Sequence, residues 1–121
     1  MSVFLTVPKE RIIYQSKSFF IIKDLYPVSP GHLLIISNRP VLDYFSLSDN
    51  ERLELAELIL VGKQMIEKDH KPDGYNIGMN CGESAGQTVM HFHCHLIPRY
   101  QGDMDNPRGG VRHCVRDKGY Y

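Results

Sequence analysis

The run Val89 to Tyr100, VMHFHCHLIPRY, constrains this chain more than any other segment, because it sets His91, His93 and His95 at every second position. Residues two apart on a β-strand share a face, so the three imidazoles are expected to stand in a row, neighbours about 6.6 Å apart. Met90, Phe92, Cys94 and Leu96 fall on the other face, which reads as the side covering an apolar core.

The rest of the chain supplies partners for such a strand. Arg11 to Tyr14 (RIIY) and Ser18 to Lys23 (SFFIIK) are β-branched and aromatic runs across a short polar gap, the pattern of a hairpin. Leu25 to Gly31 (LYPVSPG) is broken by two prolines and a glycine and is expected to be a loop. His32 to Ser37 (HLLIIS) is apolar at nearly every position, as in a central strand covered on both faces. Ser48 and Glu51 form the ends of a capping box, and Leu55, Leu58, Ile59, Gly62 and Ile66 follow at helical spacing, which predicts a helix from about Asp49 to Asp69. Tyr75 to Asn80 and Val89 to Pro98 complete five strands that do not alternate with helices. The expected fold is α+β: a five-stranded antiparallel sheet, one long helix and short additional elements.

At 121 residues the chain is read as one domain, residues 1–121. Fourteen Lys and Arg balance fourteen Asp and Glu, so no overall field draws it to nucleic acid or an anionic membrane. Its apolar runs are far shorter than a membrane span, and the N-terminus lacks the features of a signal peptide. A cytoplasmic protein is expected. Cys81, Cys94 and Cys114 are odd in number and form no CxxC pair, which argues for free thiols; Cys94, on the apolar face, is expected to be buried and inert. Leu53, Ala56 and Leu60 widen the helix's apolar stripe beyond one packing surface. Either the helix is deeply buried or its second face meets another subunit, and a homodimer is favoured.

Two glycines and small polar residues in CGESAGQT lead into the histidine strand, and such a loop can cradle an anion through backbone N–H groups and hydroxyls. The histidine row itself admits three readings. It can be a solvated sheet face; it can ligate zinc, with Glu83 as a further ligand; or a neutral imidazole can attack phosphorus while its neighbours offset the growing charge.

The segment His91-Phe92-His93-Cys94-His95-Leu96-Ile97 resembles the alternating histidine and apolar motif of the histidine triad family of nucleotide hydrolases and transferases. Gly86-Gln87-Thr88 precedes it at the family's spacing and Asn80 opens the loop. Asp24 to Ile36 (DLYPVSPGHLLII) is similar to the family's nucleoside-binding hairpin with its Pro-Gly-His. Gly78 to Gly102 is closest to the fragile-histidine-triad branch, which hydrolyses dinucleoside polyphosphates. The resemblance covers about residues 10 to 103, leaving 104 to 121 as a C-terminal extension. It implies that His93 attacks the α-phosphate to form a nucleotidyl-histidine, that His95 and His32 contact that phosphate, and that His91 orients His93. It further implies that Gln87 and Thr88 hold phosphate or leaving-group oxygens, with Asn80 and Gly86 in the same loop. Asp24 would bind the ribose, and Leu25 and Ile22 would lie against the base.

The substrate implied is a small nucleotide. No resident metal is expected; a divalent cation can accompany the polyphosphate. Phosphoramidate hydrolysis, nucleotidyl transfer, or nucleotide binding with little turnover are the alternatives. His70, at the polar end of the helix, is explained by the helix C-terminus, and His113 reads as a surface residue. Residues 99 to 121 carry five Lys or Arg against three Asp, a net of +2. They read either as a solvated, flexible end or, slightly favoured, as an extension folded over the site with Arg99, Arg108 or Arg112 reaching outer phosphates.

Overall fold

A computed structural model describes residues 2–121. Five strands, β1 (Ile12–Gln15), β2 (Phe19–Lys23), β3 (Leu33–Ser37), β4 (Gly74–Gly78) and β5 (His93–Arg99), form one sheet in the order β1-β2-β3-β5-β4. Every neighbouring pair is antiparallel. The one α-helix among the described residues, α1, runs over Asp49–Asp69, and 3₁₀ turns at Val3–Thr6, Lys9–Arg11, Tyr44–Ser46, Glu83–Ala85 and Gly110–Cys114 fill the connections. The α+β architecture read from the sequence is the one observed. No helix among the described residues is long and apolar enough to cross a membrane.

Helix α1 starts where its capping box places it: Ser48 accepts from the Glu51 N–H, and the Glu51 carboxylate accepts from the Ser48 N–H. It lays Leu55, Leu58 and Ile66 onto one face of the sheet, against Phe19, Ile21, Leu33, Ile35, Cys94 and Leu96. Gly62 permits this closeness, since a Cβ there would sit 2.8 Å from Leu96 Cδ2. Strand β3 is buried along its whole length, as its sequence suggested. Its other face carries Leu34 and Ile36, which join Phe20 and Ile22 beneath the N-terminal residues Phe4 and Val7.

The helix is not deeply buried. Leu53 is 71% exposed and Leu60 57%, so the second apolar stripe faces outward. The histidine strand also begins later than expected, at His93 and not Val89. The reason is its partner: β3 ends at Ser37, where Asn38-Arg39-Pro40 turns away, so the last register pair is Ile36 with His93. Residues 89–92 instead bend across, Phe92 donating its N–H to the Val41 carbonyl. Phe92 stays in the core, whereas Met90, expected beside it, is 47% exposed. Strand β4 likewise stops at Gly78, short of Asn80.

Candidate active site

Strand β5 sends Cys94 and Leu96 into the helix-side core and His93 and His95 to the opposite face. Cys94 is fully buried and burial pushes its thiol up to about 12, the inert thiol anticipated from its position. His91, although ahead of the strand, remains on the histidine side: the Phe4 ring stands edge-on to both His91 and His93, with centroids 5.5 and 5.0 Å away. The rings of His93 and His95 are 5.4 Å apart.

Hydrogen bonds place the proton of each imidazole, and His93 differs from the other three. His93 donates Nδ1–H to the His91 carbonyl at 2.8 Å, so its neutral ring leaves Nε2 with a free lone pair. His91 is fully buried; its Nε2–H donates to the Ser37 carbonyl at 2.7 Å, and its Nδ1 accepts from the Ser2 hydroxyl at 2.8 Å. Burial holds its pKa below the ordinary histidine value. His32, at the entry to β3, accepts the Val28 N–H at Nδ1, at 3.2 Å, so its own proton lies on Nε2. That Nε2–H donates to His95 Nδ1 at 2.9 Å, which leaves His95 with its proton on Nε2. Within the row, His93 therefore presents a lone pair and His95 an N–H.

Desolvation keeps this pair neutral. Burial lowers His95 to about 4, assisted by the neighbouring His32 and His93, while Asp24 opposes the shift. His32 is lowered for the same leading reason, against the same carboxylate. Asp24 places Oδ2 3.4 Å from His32 Nε2 and 3.8 Å from His95 Nδ1, and its Oδ1 accepts the Tyr26 N–H at 2.8 Å.

Asp24, His32 and His95 are also the one group among the described residues whose candidate metal-ligand atoms converge, all within 4.8 Å. The hydrogen bonds around His32 do not suit a metal ligand. A ligating histidine normally donates its other ring N–H to an acceptor. His32 instead faces the Val28 N–H with that nitrogen, so its Nε2 carries the proton a metal would have to displace. Glu83, the other ligand considered, is exposed in the loop and outside this group.

The phosphate-loop expectation needs correction in its details. Gln87 is 3% exposed, and its side chain is engaged within the fold: Oε1 accepts the Gly82 N–H, and Nε2 donates to the carbonyls of Leu42 and Val89. It clasps the loop from within. The N–H groups of Ala85, Gly86 and Gln87 close the turn onto Gly82 and Glu83. Gly86 is required by its left-handed φ of 95°. Thr88, Asn80 and Ser84 remain exposed.

A cleft of about 830 Å³ opens beside the pair, with His32 and His95 at one end, Asn80, Ser84 and Gly86 along the loop, and Val111 and Val115 of the C-terminal extension opposite. The extension does fold over the site, but its arginines are elsewhere. Arg99 pairs with Asp103 and donates to Asn76, and Arg108 and Arg112 each lie 4.8 Å from the Tyr121 ring centroid. Ile22 is 1% exposed, inside the apolar cluster, and offers no surface to a base; Leu25 is 62% exposed beside Asp24. Reading the sequence missed Ser2 and Phe4, since nothing local marks residues whose partner lies 89 positions away.

Comparison with known proteins agrees with this geometry. The HIT domain family model matches residues 6–102. A bis(5'-nucleosyl)-tetraphosphatase (asymmetrical) of Schizosaccharomyces pombe is 37% identical over 93 residues, covering 77% of this chain and 51% of that protein. An AP-4-A phosphorylase of Mycobacterium tuberculosis is 34% identical over 93 residues, covering 76% of this chain and 48% of that protein. The chain thus spans about half the length of these curated relatives. The crystal structure of the Caenorhabditis elegans NitFhit protein superposes with a TM-score of 0.77 at 33% identity, over 89% of this chain and 26% of that one. With the family model covering most of its length and the histidine row in place, the chain belongs to the HIT domain family.

Proposed function

We propose that this protein is a nucleotide hydrolase that cleaves dinucleoside polyphosphates at the α-phosphate through a nucleotidyl-histidine on His93. The observation that carries the reading is the His93 Nδ1–H bond to the His91 carbonyl, which in the neutral ring puts the lone pair on Nε2, beside His95. Similarity to relatives named as a tetraphosphatase and a phosphorylase supports the substrate class.

The steps follow from the proton pattern. Nε2 of His93 forms a bond to the α-phosphorus as the bond to the departing phosphate oxygen breaks, and the remaining nucleotide leaves as the anion. The Nε2–H of His95, set by His32, donates to a phosphoryl oxygen and offsets its growing charge. Water then forms the new P–O bond as the N–P bond breaks, giving a nucleoside monophosphate and one proton. Dividing the hydrolysis in this way replaces one difficult step with two easier ones. Asp24 is suited to a ribose hydroxyl and Leu25 to the base. Thr88, with Asn80 and Gly86, borders the phosphate; Gln87 acts by holding their loop. The catalytic unit is residues 10–103, with 104–121 as an extension of it, working in the cytoplasm.

The test is to incubate chelator-treated protein with diadenosine triphosphate, diadenosine tetraphosphate and adenosine phosphoramidate and measure AMP. Release from the two dinucleotides is expected without added metal. Release from none, or only after metal is restored, overturns the reading.

The working form is a homodimer, supported by the outward stripe of Leu53, Ala56 and Leu60 on α1 and by Ile77, 45% exposed on the edge strand β4. Light scattering behind a sizing column is expected to give twice the chain mass for the wild type and the single-chain mass for Leu53→Glu/Leu60→Glu. A monomeric wild type removes the dimer from the proposal.

A further inference from the structure

The C-terminal extension is built around contacts of its own. Tyr121 lies between the guanidinium groups of Arg108 and Arg112, each 4.8 Å from its ring centroid. His113 donates Nε2–H to the Arg108 carbonyl at 2.8 Å and meets Tyr120 edge-on at 4.4 Å. Tyr120 in turn donates its hydroxyl to the Asn106 carbonyl at 3.0 Å. Gly119 is buried against His113 so closely that a Cβ would fall 2.0 Å from its Nδ1. A segment tied this way is ordered, yet it leaves Val111 66% and Val115 57% exposed on the wall of the cleft. Apolar side chains held side by side on the wall of a cleft mark a surface that a ligand can cover.

The position of that wall says what covers it. Strand β5 lies between β3 and β4 in the sheet, so the histidine row has two flanks. Asp24 and Leu25 lie in the connection from β2 to β3 on one flank; the extension packs against β4 on the other. A mononucleotide bound through its α-phosphate at His93 and His95, with its ribose at Asp24, occupies the first flank. The cleft starts at His32 and His95, continues past Ile97 two residues along the same face of β5, and ends between Asn76, the β4 partner of Ile97, and the two valines. Its volume of about 830 Å³ falls within the range of small-molecule sites.

We propose that this half of the cleft is the subsite for the leaving nucleoside, and that Val111 and Val115 select substrates carrying a second purine-sized base beyond the polyphosphate chain. The inference rests on the hydrolase reading and adds the element that distinguishes a dinucleotide from a smaller leaving group. The flat face of a base would lie against Ile97, Val111 and Val115, with its phosphates running back to His95. Arg108 and Arg112, engaged with Tyr121, take no part in binding phosphate.

The experiment compares kcat/KM for diadenosine triphosphate and for adenosine phosphoramidate, whose leaving group carries no second nucleoside, in wild type, Val111→Ala/Val115→Ala and Tyr121→Ala. Trimming the two valines is expected to lower the dinucleotide-to-phosphoramidate ratio about tenfold, the scale of losing a few methyl contacts in an apolar pocket. Untying the extension at Tyr121 is expected to lower the ratio in the same direction. An unchanged ratio in the valine variant overturns the proposal, including the case where Tyr121→Ala alone lowers it, because the extension then acts without that apolar wall. Failure of the hydrolase reading is distinguishable: the wild type itself would turn over neither substrate.

Discussion

Replacing His93 with alanine is expected to lower AMP release from diadenosine triphosphate by at least about 10³-fold, with KM changed far less, because the variant loses the nucleophile and keeps the cleft. The substitution is well tolerated by the fold: His93 is partly exposed at the end of a ladder, and its one side-chain hydrogen bond is to a carbonyl that water can satisfy. A covalent intermediate makes the prediction specific. Wild-type protein quenched in base during turnover, where phosphoramidate bonds persist, should carry a nucleotidyl adduct on the peptide containing residue 93, and His93→Ala should carry none. His91→Gln is the informative comparison. Its backbone still supplies the carbonyl that orients His93, whereas the ring is enclosed between Ser2 and Ser37. It should therefore lose stability more than it loses chemistry. Equal activity of His93→Ala and wild type would remove His93 as the nucleophile.

This distinction between ring and carbonyl shows what a sequence can and cannot transmit. A period of two placed His93, Cys94 and His95 on their faces before any coordinates, since alternation is a local property of strands. The capping box fixed the start of α1 for the same reason: Ser48 and Glu51 are three residues apart and need no distant partner. The strand's true beginning was not legible, because it depends on where β3 runs out, over fifty residues earlier. The surroundings of Gln87 were hidden by a related limit. Its motif position marks the loop correctly, but whether an amide faces a phosphate or the carbonyls of Leu42 and Val89 is settled only by the packing around it. The extension's arginines were read by charge alone, and charge cannot reveal that Tyr121 holds Arg108 and Arg112. Ser2 and Phe4, against the histidine row, had no sequence signal at all.

The same local and distant constraints meet at Glu51, where the largest stability effect is expected. Its carboxylate closes the capping box through the Ser48 N–H and pairs bidentately with Arg39, Nε at 2.9 Å and Nη2 at 2.7 Å. It thereby joins the start of α1 to the turn that ends β3 while remaining 6% exposed. Glu51→Ala removes a cap and two charge-assisted hydrogen bonds, and is expected to cost about 2–3 kcal/mol in urea unfolding; Arg39, largely exposed, recovers water, which keeps the loss from being larger. Glu51→Gln keeps an oxygen for Ser48 and is expected to lose about half as much, the difference measuring the cap. The pH dependence provides a separate check. Hydrogen bonds from Arg39 hold the folded pKa near 2, below the ordinary 4.5. The ionised carboxylate therefore adds stability that is fully present above about 4.5 and is lost as pH falls from there towards 2. The stability gap between wild type and Glu51→Gln should be constant from pH 7 to 5 and close progressively below that window. A gap that persists unchanged at pH 2.5 would show that the pair with Arg39 contributes nothing as an ion pair, and that Glu51 serves the fold through its shape and its cap alone.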